Sequence, residues 1–268
     1  MTAVRRIYRD GIYGQVHYRI ARPKAPAHRP VVCFHLSPLS GLVFEPLMIS
    51  MGTDRIVLAP DTPGFGASDG PESPPSITDY ADAMADFVDS LGYDDIDVFG
   101  YHTGSKISVE LARRRPDLVR HVAIVSAPVY NESELEEQRS TMGSPPRLHE
   151  SGSHLLNVWQ GHWQWRGSGQ TLEMVQKLVA EAYRGGPNAW WGHRAAFQYR
   201  IDEWIGTVQQ PLIVLCPDDD LAVATRRVEP FLGNGKLLPL PGWGHGMLDL
   251  HTNEIAELLR DFFDDEVE

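Results

Sequence analysis

The chain has 268 residues, 42% of them hydrophobic, with 24 basic and 36 acidic side chains and a formal charge of −12. That length suits one large α/β domain with an insertion, or two small domains, and the apolar content is enough for a real core. The acidity argues against nucleic acid or an anionic membrane as partner and says little about a small-molecule substrate.

No segment reaches the ~18 apolar residues that a membrane span needs. No apolar signal core follows the basic start, so a cytoplasmic protein is the default expectation. Cys33 and Cys216 sit in apolar runs and read as buried free thiols. In chain order, Ile7 to Ile20 reads as two strands joined at Asp10-Gly11. A proline-rich loop leads to a short buried strand, Val31 to His35, and a helix is expected from Leu42 to Met51. Arg55 to Ala59 is the next strand. Ser76-Ile77-Thr78-Asp79 resembles a capping box with Asp in the acidic slot. The helix that follows places Ile77, Tyr80, Ala81, Met84, Phe87, Val88 and Leu91 on one face.

The next apolar run, Asp95 to Phe99, ends in Gly100-Tyr101-His102-Thr103-Gly104, and a helix is expected from Ser105 to Arg115. A strand, a tight turn with flanking glycines and a helix form the context of a nucleophile elbow, where the central residue is pushed out at the top of a sheet. The usual central residue is Ser, Cys or Asp; here it is His102. His121 to Ala127 is a further strand. The strand–helix alternation predicts a mostly parallel sheet covered by helices on both faces. It breaks after Pro128. Residues 129–205 hold no clean strand but carry Trp159, Trp163, Trp165, Trp190, Trp191 and Trp204, which fits a helical insertion. The sheet resumes at Pro211 to Cys216, with a helix near Thr225 to Leu232, a strand at Lys236 to Leu240 and a last helix from Thr252 to Phe263.

Along nearly its whole length the chain resembles the α/β-hydrolase superfamily. His35-Leu36-Ser37-Pro38 looks like the His-Gly-x-Pro loop, with Leu36 in place of Gly. Asp61 to Ser68 looks like the Asp-x-Pro-Gly-x-Gly-x-Ser stretch of the branch that holds haloalkane dehalogenases and epoxide hydrolases. Gly100 to Gly104 takes the elbow position, Pro211 to Asp220 the strand ending in the acid, and Pro241 to Gly246 the histidine loop. The order elbow, acid, histidine is the family's. The resemblance implies a core of residues 1–128 and 206–268 with a lid at 129–205.

It also implies His245 as base and Asp220 as its orienting acid, with Asp219 the alternative. Thr103 N–H would be one oxyanion donor and Ser37 or Leu36 N–H the other. Asp218 reads as a surface charge. His35 is expected to be a buried histidine bonding loop backbone. Tyr101 is a second candidate beside the site. The insertion histidines, His149, His154, His162 and His193, are expected on the surface or in packing. Trp159, Trp163 and Trp190 are candidate pocket walls.

His102 leaves three readings open: nucleophile, general base, or inert filler in a binding protein. If it approaches His245, the two form a proton-transfer pair that titrates as a unit. No metal is expected at His102, His245 and Asp220, because an acid facing His245 occupies one of its nitrogens, and no cofactor is expected. The leading expectation is hydrolysis of a small apolar ester, lactone or related carbonyl compound. A lyase or cofactor-free oxygenase on the same fold, or a ligand-binding protein, is the alternative. A homodimer is left open.

Overall fold

The computed structural model describes residues 2–265. Eight strands form one sheet in the order β1-β2-β4-β3-β5-β6-β7-β8. β1 (Val4–Gly11) and β2 (Gly14–Ala21) form an antiparallel hairpin, and β2 runs antiparallel to β4 (Val57–Pro60). β3 (Val31–Phe34), β4, β5 (Ile96–Tyr101), β6 (Val119–Val125), β7 (Leu212–Pro217) and β8 (Lys236–Leu240) are parallel. The hairpin turn lies two residues later than the sequence suggests. Asp10 pairs with Gln15 inside the ladder, and Gly11 opposite Gly14 leaves Ile12-Tyr13 as the loop. Gly14, at φ 105°, supplies the left-handed backbone angle that closes the turn.

Both faces of the sheet are covered. On one, α2 (Ile77–Ser90) and α3 (Thr103–Arg114) bury Tyr80, Met84, Phe87, Ile107 and Leu111 against Val32, Phe34, Val98 and Val122. On the other, α1 (Glu45–Met51) buries Leu47, Met48 and Met51 against Cys33, Val57, Phe99 and Val125. The capping box is present: Ser76 Oγ accepts from Asp79 N–H and the Asp79 carboxylate accepts from Ser76 N–H. Such a cap is worth about 1 kcal/mol. The helix expected from Leu42 divides into a 3-10 turn, Gly41–Phe44, and α1, whose second residue is Pro46.

Between β6 and β7 lie α4 (Glu132–Ser140), α5 (Ser153–Gln164), α6 (Leu172–Ala182), α7 (Trp191–Gln198) and α8 (Ile201–Trp204). This stretch contains no strand beyond an isolated bridge from Arg166 to His245. The helix expected near Thr225 is shorter and earlier. It is α9 (Ala222–Arg226), followed by a 3-10 turn at Glu229–Phe231, because Pro230 has no N–H to continue the ladder. After β8 come α10 (Met247–Leu250) and α11 (Thr252–Phe263), the latter placing Ile255, Leu259 and Phe263 in the core beside α1. Cys33 and Cys216 are buried free thiols. Among the described residues no helix is long and apolar enough to cross a membrane.

Candidate active site

Only His102 separates β5 from α3. Its backbone sits at φ 49° and ψ −105°. That is close to the mirror image of an extended conformation, and it costs a residue with a side chain about 1–3 kcal/mol. The surroundings fix it there. His102 N–H donates to Val125 O at 3.0 Å, and His102 O accepts from Ser105 N–H at 3.0 Å. The flanking glycines are required by close approach. A Cβ on Gly104 would lie 1.9 Å from Phe34 O, and one on Gly100 would lie 2.4 Å from Gly104 O. The strained turn lifts the imidazole to a position where 16% of the side chain is exposed.

Two loops meet this ring. The loop after β7 brings Asp219, whose carboxylate has no exposed surface and lies 3.3 Å from His102 Nε2 through Oδ2. The same oxygen accepts from Ser126 Oγ at 2.8 Å, and Oδ1 accepts from Leu221 N–H at 2.9 Å. The loop after β8 brings His245, whose Nε2 is 2.6 Å from Asp220 Oδ1. The imidazoles of His102 and His245 meet edge to face, with centroids 5.4 Å apart and planes at 74°. The site is therefore two His–Asp pairs side by side. In each ring Nε2 faces a carboxylate, and among the described residues Nδ1 has no protein hydrogen-bond partner.

Asp219 departs furthest from the sequence reading. It is not the partner of His245 but the buried partner of His102. One position earlier, exposed Asp218 is more than a surface charge: it accepts from Gly242 N–H at 2.7 Å and so ties the two loops together. Stacking of Trp243 on His251, at 4.2 Å and 1°, braces the histidine loop.

The electrostatics follow from these pairs. Burial raises the Asp219 and Asp220 carboxyls, but the hydrogen bonds from His102 and His245 outweigh it and hold both below the usual range. Burial lowers His245, but the hydrogen bond and charge of Asp220 outweigh it, so its net shift is upward.

At the opposite side of the elbow, Thr103 N–H opens α3, and it, Leu36 N–H and Ser37 N–H find no backbone acceptor among the described residues. Leu36 is half-buried against the core, and its carbonyl accepts from Leu39 N–H and from His35 Nδ1–H at 2.9 Å. The other ring nitrogen of His35 accepts from Thr62 N–H at 2.9 Å, which fixes its tautomer. His35 is thus committed to loop backbone, and burial pushes it down. The Tyr101 ring stands edge-on to His102 at 4.6 Å, with its buried hydroxyl unpartnered among the described residues.

Most of the insertion histidines are expected on the surface or in packing, and His193 does stack on Phe197; two of the four also feel the charges of the site. Burial and the neighbouring charge of His102 push His193 down to about 4. Burial and the charge of His245 lower His162. Their only sequence signal was a position among the tryptophans. Trp159 and Trp163 stack on each other at 6.3 Å, with Arg166 over Trp163. Trp190 is half-buried at the start of α7. Among the described residues no hydrogen bond or ring pair joins Trp159, Trp163 or Trp190 to the two imidazoles. The insertion is nonetheless fastened to the site, because Gly167 N–H donates to His245 O at 2.8 Å. Two surface clefts, one lined by Glu132, Glu136, Arg139 and Ser140 and one beside the β1–β2 turn, contain none of the site residues. One donor atom each from Asp219, Asp220 and His245 lies within 4.8 Å of the others, the only such His, Cys, Asp and Glu group among the described residues.

Residues 29–150 match the family model described as alpha/beta hydrolase fold. A 2-(acetamidomethylene)succinate hydrolase of Mesorhizobium japonicum is 37% identical over 101 residues, covering 38% of this chain and 36% of that protein, so the match spans little more than a third of that relative. A poly(3-hydroxyalkanoate) depolymerase of Ectopseudomonas oleovorans is 23% identical over 250 residues, 91% of this chain and 88% of that one. The structure of an enol-lactonase from Burkholderia xenovorans LB400 superposes with a TM-score of 0.81 at 15% identity, covering 97% of this chain and 100% of that chain.

Proposed function

We propose, from the α/β-hydrolase fold that the chain adopts, that it is a hydrolase of a small apolar ester or lactone working without an acyl-enzyme. The observation that carries this reading is the pairing of His102 with its own buried carboxylate, Asp219, rather than with His245. A nucleophile served by His245 would share a proton with it. Here each imidazole is oriented by a separate acid, which suits one base and one acid acting at opposite ends of a reaction.

With Nε2–H directed at Asp219, Nδ1 of His102 carries the lone pair. A water between this nitrogen and the bound carbonyl adds its oxygen to the carbonyl carbon and gives its proton to Nδ1. The developing oxyanion is received by Thr103 N–H and by Ser37 or Leu36 N–H. The carbon–oxygen bond to the leaving group then breaks. The departing oxygen takes a proton from Nδ1–H of His245, whose upward shift favours the imidazolium. The products are a carboxylic acid and an alcohol, or the opened hydroxy acid from a lactone. Residues 129–205 form the lid, fastened to the histidine loop through Gly167. Ester and lactone chemistry is favoured by the names of similar proteins, a poly(3-hydroxyalkanoate) depolymerase by sequence and an enol-lactonase by fold.

The test is a panel of aryl esters and lactones, with mass spectrometry of enzyme quenched during turnover. Hydrolysis without a mass-shifted enzyme is expected, with a loss of about 10²–10⁴-fold in kcat/KM for His102→Ala. Full activity in that variant, or a trapped acyl group on His102, overturns the reading.

A further inference from the structure

Among the described residues there are two other buried His–Asp pairs, and in both an arginine bonds the carboxylate. Asp61 bonds His17 and also Arg19 at 3.0 Å; Asp97 bonds His121 and also Arg29 at 3.3 Å. Asp219 and Asp220 differ. Among the described residues neither forms an ion pair with a lysine or an arginine, and each faces only an imidazole. Two adjacent carboxylates with no lysine or arginine beside them leave a place that a cation can take.

The donor atoms there suit a metal. We propose that the junction of the two pairs binds one divalent first-row transition ion of the zinc class, through Asp219, Asp220 and His245. One imidazole nitrogen and two carboxylate oxygens, with a water in the fourth place, form a donor set that zinc, cobalt and nickel accept. Tetrahedral zinc with bonds of about 2.0 Å sets its donors about 3.3 Å apart. His245 Nε2 to Asp220 Oδ1 is 2.6 Å, and the Asp219, Asp220 and His245 donors all lie within 4.8 Å of one another.

Both rings turn the same nitrogen, Nε2, towards the carboxylates. Asp219 is itself oriented by Ser126 Oγ and Leu221 N–H, the outer support that metal-binding carboxylates have. The way in is open: the side chains of His102, His245 and Asp220 are 16%, 23% and 33% exposed.

The ion would compete with the reaction proposed above, and this consequence rests on that reading. Coordination of His245 through Nε2 puts the ion where its second ring proton would sit. The imidazolium that protonates the leaving group cannot then form, so the ion acts as an inhibitor.

Metal-stripped protein titrated with Co2+, without substrate, tests the site. One ion per chain and the visible absorption of tetrahedral Co2+ are expected, with Zn2+ displacing it. Asp220→Asn, a change at an exposed side chain, should weaken Co2+ binding at least about tenfold, as should His245→Ala. Circular dichroism and Tm confirm that each variant is folded. No absorption and no heat at sub-millimolar Co2+ or Zn2+, or equal affinity in folded variants, overturns the proposal. The spectrum is read without turnover. A chain that binds Co2+ and hydrolyses nothing therefore sinks the proposed reaction only, and one that hydrolyses esters without binding Co2+ sinks the metal site only.

Discussion

Nε2 of His102 lies 3.3 Å from Oδ2 of Asp219, an oxygen that also accepts from Ser126 Oγ at 2.8 Å. The elbow imidazole is thereby oriented by a carboxylate of its own. If that carboxylate sets the tautomer, Asp219→Asn lowers kcat by about 10²-fold or more while KM moves little. Asn can present an N–H to Nε2 and stabilise the wrong tautomer. Steady-state kinetics on the best ester of the panel measure this, and an unchanged kcat refutes the orienting role.

The backbone angle at His102 gives a second prediction, one about stability. His102→Ala and His102→Gly both remove the ring and leave Asp219 without it. Only Gly adopts φ 49° freely. The Gly variant is expected to be more stable than the Ala variant by about 1–2 kcal/mol in urea unfolding, although glycine elsewhere usually costs stability. A more stable Ala variant contradicts strain at the elbow.

Gly167 joins the insertion to the catalytic loop. A Cβ there would lie 2.2 Å from His245 O, so Gly167→Ala must displace one of the two chains. Because the hydrogen bond to His245 O holds the proposed proton donor in place, kcat is expected to fall about tenfold or more with little change in Tm. Equal kcat would show that the insertion does not position His245.

Lys106 on α3 is buried, with Nζ donating to Ala196 O at 2.5 Å and to Tyr199 O at 3.4 Å. Burial pushes it from 10.5 down to about 7. Between those values the unfolded chain binds a proton that the native chain lacks, so stability rises with pH across that window. Below about pH 7 both states are protonated and the cost of burying the charge is constant. Wild type should therefore gain on the order of a few kcal/mol relative to Lys106→Met between neutral pH and pH 10. Parallel unfolding curves for the two proteins would rule this out.

The sequence by itself determined the scaffold. The alternation of apolar strands with amphipathic helices, the capping box at Ser76 and Asp79, and Gly100 and Gly104 around the turn are local signals, because burial periodicity and backbone angles are written residue by residue. It also placed His102, Asp220 and His245 on the loops that bring them together. It could not divide the work between Asp219 and Asp220. Adjacent residues on an irregular loop have no periodicity, and only the packing of Ser126 and Leu221 against Asp219 turns that carboxylate inward to His102. The approach of His162 and His193, and the fastening of Gly167 to His245, were equally invisible. They depend on how a strandless insertion folds back over the sheet, and that path is set by long-range contacts rather than by neighbours in the chain.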